Sequence, residues 1–548
     1  MCQLRYITII PKHLKCWKKR IVCSSKVNDF FYGLLKSIHN LLVRKNRRVN
    51  MVSLYNITFF SKIFTFAMEE KNYFIALSAP FILMLMFICI LNFLLLLTHR
   101  KAFRMVVSIL IVSGAMSSYF IDTFGTVIDK NMFINVMQTD SAEVLDLFTP
   151  KLIIYLTCAS ALSFWVLFKA PISFSSYAKE FAQKALVGVL SLLMVAGLYM
   201  MVSKSYSSFF RNHNELKMYL NPAYPIASFS KFVYAKFKPK PEFKAIATDA
   251  TRQNKEKKKL VVFVLGETAR AQNFSLSGYD VPTNPLLSKR DDIVYLPNFA
   301  SCGTATAISV PCLFSKFGRN DWGDDKEYFE NAVDVLAKTG VRIIWRDNNS
   351  GGDKEIAKRM SDVVQYGGQG FDEVLLKDFQ ANIDARYEDT FIVLHQEGSH
   401  GPTYFKRYPD SFKKFTPTCD TQELDKCSHD QIVNTYNNTI LYTDYIINET
   451  INLLKANQDK YDITLIYFSD HGESLGENGV YLHGLPYMIA PEAQKHVPAL
   501  FYFGDKTKRE SLHVKANERF SQDNFFHTLL GLFEIKTSEY KPNLDILH

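Results

Sequence analysis

The chain has 548 residues, of which 48% are apolar and 14% aromatic, a composition that excludes a disordered protein and allows several domains. The formal net charge of +10 is carried by the N-terminal 50 residues, which contain 12 Lys and Arg and the single acid Asp29. The remainder is close to neutral, which argues against a general nucleic-acid-binding face, and we predict no nucleic acid partner.

Residues 1–50 form a basic extension that fits neither a signal peptide nor a stable helix bundle. The apolar stretches between its Lys and Arg clusters are too short for either. Met51 is therefore a candidate for the true start. The functional alternative is a basic amphipathic segment from Phe30 to Arg48 that lies on a membrane surface.

Four long apolar stretches come next, each near the roughly 20 residues that cross the hydrocarbon core of a bilayer. They cover about 75–98, 104–120, 151–170 and 184–203. We predict a transmembrane helix in each, against the alternative of buried core helices. A fifth span over about 52–68 is short and is interrupted by Lys62.

The charges of the connecting loops predict which side of the membrane each loop occupies. The two short connections are basic, whereas the loop over 121–150 is acidic and has Lys130 as its only basic residue. Basic loops stay in the cytoplasm. The acidic loop and everything after about residue 204 are therefore expected on the opposite side.

The soluble part begins after a Lys- and Pro-rich connector, Lys236 to Pro241. Its predicted strands are apolar on both faces, as a helix-covered sheet requires. They span 259–265, 292–296, 341–345, 391–395, 463–468 and 498–503. We divide the chain into a basic extension (1–50), a transmembrane domain (51–215), a connecting segment (216–255) and a catalytic α/β domain (256–548).

Four of the nine cysteines fall in the soluble part. Close spacing favours a Cys302–Cys312 bridge and a Cys419–Cys427 bridge, although four cysteines permit three connectivities. An oxidising compartment outside the cytoplasm would preserve both bridges. Free buried thiols are the alternative.

Carboxylates and imidazoles follow three of the predicted strands at the point where each strand ends. Glu267 follows the first strand, His395 and then His400 follow the fourth, and Asp470-His471-Gly472-Glu473 follows the fifth. Carboxyl ends of parallel strands meet at one edge of a sheet, so these side chains can converge. Zinc accepts His nitrogen and carboxylate oxygen, and Glu267, Asp470 and His471 supply such a set. Taken alone, each residue has a common structural explanation: Glu267 as an acid at a helix N-terminus and His471 as a surface imidazole.

A hydroxyl nucleophile is available in the small-residue segment Ser301 to Ala307 and just after it. A hydroxyl beside zinc loses its proton more easily and becomes nucleophilic near neutral pH. Thr304, Thr306 and Ser309 are equal candidates by spacing alone, and a helix-capping role is the alternative.

Five ordered motifs resemble one family closely: GETAR (266–270), SCGTATAISVPC (301–312), WRDNNS (345–350), HQEGSHGPTYFKRY (395–408) and SDHGESLGENGVYLHG (469–484). They are similar to those of the lipid A phosphoethanolamine transferases, which include the mobile colistin resistance enzymes. The resemblance covers about residues 75–548. It implies an α-helical membrane domain of five helices in the bacterial inner membrane. It also implies an α/β alkaline-phosphatase-like, sulfatase-type domain in the periplasm.

The resemblance also implies roles for individual residues. Glu267, Thr306, Asp470 and His471 would hold the catalytic zinc, with Thr306 as the nucleophile. His400 and His483 would line the phosphoryl site and can bind a second zinc. The substrate-contacting positions would be Asn135, Thr139, Glu143, Asn349, Glu473 and Lys354, the last lying one residue later than the family's lysine.

The implied activity is transfer of phosphoethanolamine from phosphatidylethanolamine to lipid A through a phosphoethanolamine-threonine intermediate, which would confer polymyxin resistance. A sulfatase is disfavoured, because Ser309-Val310-Pro311 leads to Leu313 where sulfatases need Arg. A transferase with a core-sugar acceptor is one alternative. A non-catalytic lipopolysaccharide-binding protein is another.

Overall fold

A computed structural model describes residues 55–138, 148–169, 176–323, 325–368 and 370–548. The basic extension lies outside the described residues. The N-terminal part is helical, and its helices are α1 Ile57–Glu69, α2 Tyr73–Leu94, α3 Arg100–Phe124, α4 Lys130–Gln138, α5 Pro150–Lys169, α6 Tyr177–Asn212 and α7 Ala223–Phe237.

Four of these helices contain a stretch long and apolar enough to cross a membrane: Tyr73–Leu94, Lys101–Phe124, Pro150–Lys169 and Tyr177–Leu198. These agree with the four predicted spans. Apolar side chains such as Leu77 and Met200 are largely exposed on the helices, as expected for contact with lipid. The 13 residues of α1 rise only about 20 Å, which is less than the hydrocarbon thickness of about 30 Å.

The C-terminal part is an α/β domain built on one large sheet. Its strands are β1 Lys258–Gly266, β2 Ile293–Leu296, β3 Phe299–Ala300, β4 Arg342–Asp347, β5 Val363–Gln365, β6 Thr390–His395, β7 Tyr461–Ser469, β8 Ser474–Leu475, β9 Tyr481–Leu482, β10 Ala499–Phe503 and β11 Phe520–Ser521. Its helices are α8 Thr306–Leu313, α9 Ala332–Lys338, α10 Phe379–Asp384, α11 His429–Lys455, α12 Glu492–Lys495, α13 Lys506–Lys515 and α14 Phe525–Leu532.

The large sheet has seven strands in the order β2-β10-β7-β1-β6-β4-β5. β10 is antiparallel to both of its neighbours, and the other pairs are parallel. All six predicted strands are present, each within two residues of its expected bounds.

Helices cover both faces of this sheet, which explains why its central strands are apolar throughout. In β1, Val261, Phe263 and Leu265 pack into a core on one face that includes α9 and α14. The alternating residues Leu260, Val262 and Val264 pack into a core on the other face that includes α11. Both predicted disulfides, Cys302–Cys312 and Cys419–Cys427, are formed.

Candidate active site

Three neighbouring strands bring the polar side chains together, as predicted from the strand ends. β1 lies between β6 and β7, with Leu265 paired to His395 on one side and Gly266 paired to Ser469 on the other. Glu267 and Asp470 therefore leave the sheet side by side. Both side chains are buried, as is that of His471.

Glu267, Asp470 and His471 have the geometry of a metal-binding group. Their ligand atoms all lie within 4.8 Å of one another. His471 Nε2 is 3.4 Å from Glu267 Oε1 and 3.3 Å from Asp470 Oδ2. These are the three residues that the sequence singled out as a possible zinc set.

The hydrogen bonds around this group leave its ligand atoms available to a cation. His471 Nδ1 lies 3.0 Å from the Gly472 carbonyl oxygen, which can only accept, so Nδ1 carries the proton and Nε2 keeps its lone pair. Asp470 Oδ1 accepts from the backbone N–H groups of Thr268 and His471. Asp470 Oδ2 is buried and accepts no hydrogen bond from the residues that the structure describes. A buried carboxylate oxygen without a partner is costly, and a bound cation would remove that cost.

The electrostatics of the group also fit a cation. Burial, reinforced by the charge of Glu267, raises the pKa of Asp470 well above its usual value. Added positive charge would therefore favour the state in which both carboxylates are ionised. Burial, with His483 as a further cause, lowers the pKa of His471 to about 3, which keeps the ring neutral as a metal ligand requires.

The structure distinguishes the three hydroxyls that spacing left equal. Thr306 begins α8, and its Oγ1 lies 3.1 Å from Glu267 Oε2 and 3.3 Å from His471 Nε2. Thr304 Oγ1 instead donates to the Leu485 carbonyl oxygen at 2.6 Å. Ser309 Oγ donates to the Asp470 carbonyl oxygen and to Gln522. Of these three, Thr306 contacts the carboxylate and imidazole side chains.

His400 and His483 border the same group. The ring centroid of His483 lies 4.4 Å from that of His471 and 5.4 Å from that of His400. His483 Nδ1 is hydrogen-bonded to Glu473 Oε2 at 2.8 Å. Glu473 is fully buried, and Tyr404 donates to its other oxygen at 2.6 Å. Glu473 thus orients His483 in this structure.

A cleft opens in front of Thr306, and both domains line it. Phe120, Phe124, Met132 and Asn135 from the helical part face His400, His483, Asn349 and Lys354 from the sheet domain. Asn349 also donates to Glu267 Oε2 at 2.9 Å, so it contacts the metal-binding group directly. Two further predicted substrate positions, Thr139 and Glu143, lie outside the described residues.

Two family models match the chain. One, described as phosphoethanolamine transferase EptA/EptB, matches residues 85–237, and the sulfatase model matches residues 259–535. Phosphoethanolamine transferase EptA of Escherichia coli strain K12 is 42% identical over 474 residues, which are 81% of this chain and 85% of that protein. The chain belongs to the phosphoethanolamine transferase family.

The matches to two further relatives extend over more than nine-tenths of this chain. Phosphatidylethanolamine transferase Mcr-1 of Escherichia coli is 36% identical over 92% of this chain and 97% of its own length. The solved integral membrane protein lipooligosaccharide phosphoethanolamine transferase A of Neisseria meningitidis is 32% identical, with a TM-score of 0.83. The match covers 91% of this chain and 98% of that one. The predicted family and two-part fold are therefore confirmed.

Sequence reasoning missed the residues that hold the transferase's polar side chains in place. Tyr404 and Thr268 lie within two of the motifs, but the sequence predicts no role for either. The Thr268 hydroxyl donates to Glu267 Oε1, and the Tyr404 hydroxyl donates to Glu473. Gln522 donates to the Ser469 and Asp470 carbonyl oxygens from a distant part of the chain. A motif in the sequence indicated the first two, but nothing pointed to Gln522.

Proposed function

We propose that this transferase moves phosphoethanolamine from phosphatidylethanolamine to lipid A, through a covalent intermediate on Thr306. The observation that carries the proposal is the position of the Thr306 hydroxyl. It lies at the start of a helix, 3.1 Å from Glu267, and faces a cleft walled partly by membrane helices. A lipid substrate can reach such a cleft from the bilayer. The names of two relatives support the assignment, because that of Mcr-1 contains phosphatidylethanolamine and that of the Neisseria enzyme contains lipooligosaccharide.

In the first step, Thr306 Oγ1 attacks the phosphorus of the donor. A bond forms between Oγ1 and phosphorus, the bond from phosphorus to the diacylglycerol oxygen breaks, and that oxygen takes up a proton. Glu267 accepts the hydrogen bond of the Thr306 hydroxyl, orients it and takes up its proton as the bond to phosphorus forms. His400 and His483 line the cleft, where an imidazole can donate the proton that the leaving oxygen needs.

A zinc ion held by Glu267, Thr306, Asp470 and His471 would lower the pKa of the hydroxyl and offset charge on the phosphoryl oxygens. His400 and His483 would hold a second ion when one is bound, and they would then not act as proton donors.

In the second step, a phosphate oxygen of lipid A attacks the same phosphorus and forms a new bond to it. The bond from phosphorus to Thr306 Oγ1 breaks, and Glu267 returns the proton to Oγ1. The product carries an added ammonium group, so the net negative charge of the lipid falls. Cationic peptides such as polymyxins should then bind the membrane surface less tightly. We therefore propose that the sheet domain lies in the periplasm, at the outer face of the inner membrane, as the loop charges predict.

The test is mass spectrometry of intact lipid A from cells with and without the protein. We expect a phosphoethanolamine adduct with the wild type, none with Thr306→Ala, and a reduced amount with Thr306→Ser, which keeps the hydroxyl. Thr507→Ala is the control, because this exposed threonine of α13 takes no part in the site, and the adduct should persist. Wild-type adduct levels with Thr306→Ala would disprove the covalent step. Mass spectra of the whole lipopolysaccharide that show an adduct only on the core sugar would disprove lipid A as the acceptor.

A further inference from the structure

The two short strands β8 and β9 form a hairpin that lies between Asp470-His471 and His483 along the chain. Asp470 and His471 precede β8, and His483 directly follows β9. We call residues 474–482 the docking hairpin, because its tip leaves the sheet domain and packs on the membrane helices. Tyr481 and Leu482 contact a cluster that includes Tyr119, Phe124 and Leu152.

The tightest approach in this contact is at Gly125, the residue that ends α3. Its φ of +68° is in the left-handed region, which favours glycine. A Cβ at this position would lie only 2.9 Å from the Gly479 carbonyl oxygen and 3.3 Å from the Val480 Cα. Both neighbours are backbone atoms of the docking hairpin. Any side chain at Gly125 would therefore push the hairpin away from the helix.

The docking hairpin is held in a backbone conformation that it would not favour alone. Asn478 has a φ of +54° and Leu482 a φ of +63°, both left-handed for residues with a side chain. Such conformations persist where the surroundings fix them. Leu482 directly precedes His483, so a relaxed Leu482 would reorient the imidazole that faces His471 and Glu473.

The residues that directly follow the docking hairpin are hydrogen-bonded to the segment that carries Thr306. The Gly484 N–H donates to the Thr304 carbonyl oxygen at 2.7 Å, and Thr304 Oγ1 donates back to the Leu485 carbonyl oxygen. On the membrane side, Gly484 faces Met132 and Asn135 of α4. A shift of the hairpin would therefore reach both His483 and the residues just before Thr306.

We propose that the end of α3 at Gly125 positions His483 and the Thr306 segment by clamping the docking hairpin. Gly125 and Val480 are then positioning residues, and the chemistry requires the two domains to be docked. The inference rests on the proposed function. Asp470 and His471 sit at the end of β7 in the sheet, so they stay in place when the hairpin is released.

The test compares three variants of the full-length protein in detergent. Gly125→Ala introduces the clash. Gly278→Ala is the matched control, since Gly278 has a φ of +91° and nothing within 4 Å of its Cβ position, so this variant isolates backbone strain. Val480→Ala weakens the contact from the hairpin side and leaves the membrane helices unchanged. Transfer from fluorescent phosphatidylethanolamine gives kcat and KM, and hydrogen exchange with mass spectrometry follows the amides of residues 476–484.

We expect Gly125→Ala to lower kcat about tenfold or more, since small misplacements of reacting groups have large effects, while KM changes little. Hairpin amides should exchange faster in the same variant. Val480→Ala should show both effects more weakly, and Gly278→Ala neither. An unchanged kcat, or a raised KM with unchanged exchange, would overturn the inference. Absence of transfer by the wild type would count against the proposed function instead, and the exchange data would still test the clamp.

Discussion

Glu267 receives hydrogen bonds from three neighbours, which fix both of its oxygens. Thr268 donates to Oε1, Asn349 donates to Oε2, and the Thr306 hydroxyl lies within 3.3 Å of both oxygens. All four side chains are buried. Partners of this kind orient a metal ligand and raise its affinity for the metal. The family resemblance assigned Asn349 to the substrate, and the structure adds a contact with Glu267.

Replacing Asn349 separates these two roles. Asn349→Leu removes the donor at similar volume, and we expect zinc affinity to fall about 10- to 100-fold, as for other partners of metal ligands. Competition with a chromogenic chelator measures that affinity without any substrate. If Asn349 served only the substrate, zinc affinity would be unchanged and KM alone would rise.

Asp444 makes the stability of the sheet domain depend on pH. Burial raises the pKa of this carboxyl to about 7, against two hydrogen bonds from the Leu286 and Leu287 N–H groups. The folded pKa lies above the unfolded one, so Asp444 lowers stability progressively as pH rises from about 4 to 7, by on the order of 4 kcal/mol.

In the Asp444→Asn variant the side chain cannot ionise, so the loss of stability with rising pH should disappear. The Tm of the variant relative to wild type should therefore be higher at pH 8 than at pH 5. The exposed Asp459, changed to Asn, is the control and should show no such trend. A relative Tm for Asp444→Asn that is the same at both pH values would contradict the assignment.

At the scale of elements, the central sheet and the four long apolar helices were predictable, whereas the short elements that border the site were not. β1, β6 and β7 are long apolar runs, and polar residues at their ends converge because the strands are parallel neighbours. β8 and β9 have two residues each, too few for any periodic pattern, and their pairing depends on contacts with distant helices. Likewise, the sequence predicted only an acidic loop over 121–150, where α4 forms against α7 and α8.

The two disulfides close loops of similar length but differ in what they enclose. The Cys302–Cys312 bridge spans Thr306 and most of α8, whereas the Cys419–Cys427 bridge lies in a loop before α11. Replacing either pair by serine should lower stability by roughly 2–3 kcal/mol, since sequence separations of 10 and 8 are alike. Transfer measured well below Tm should fall only when the first pair is lost. Equal losses of transfer would show that enclosing Thr306 has no special effect.

At the scale of the whole molecule, the membrane helices form part of the active-site cleft. Besides the docking hairpin, Lys151 of α5 forms an ion pair with Asp425 of the sheet domain at 2.8 Å. Both side chains are about two-fifths exposed, so this pair contributes at most about 1 kcal/mol. The apolar contacts must therefore hold the domains together. Phe120, Phe124 and Met132 serve both the interface and the cleft.

Because the membrane helices supply apolar side chains to the cleft, we predict that they affect binding of the donor lipid more than the chemical step. Phe120 lines the cleft, and its removal costs about 1–2 kcal/mol of apolar contact. Phe120→Ala should therefore raise KM for phosphatidylethanolamine in mixed micelles about 5- to 30-fold. Because Phe120 also packs in the cluster that contacts the docking hairpin, kcat should fall, but less than in Gly125→Ala. Phe164→Ala is the control, because Phe164 does not line the cleft and packs in a different cluster, and both parameters should stay at wild-type values. A fall in kcat at constant KM would mean that this wall acts on the chemistry itself.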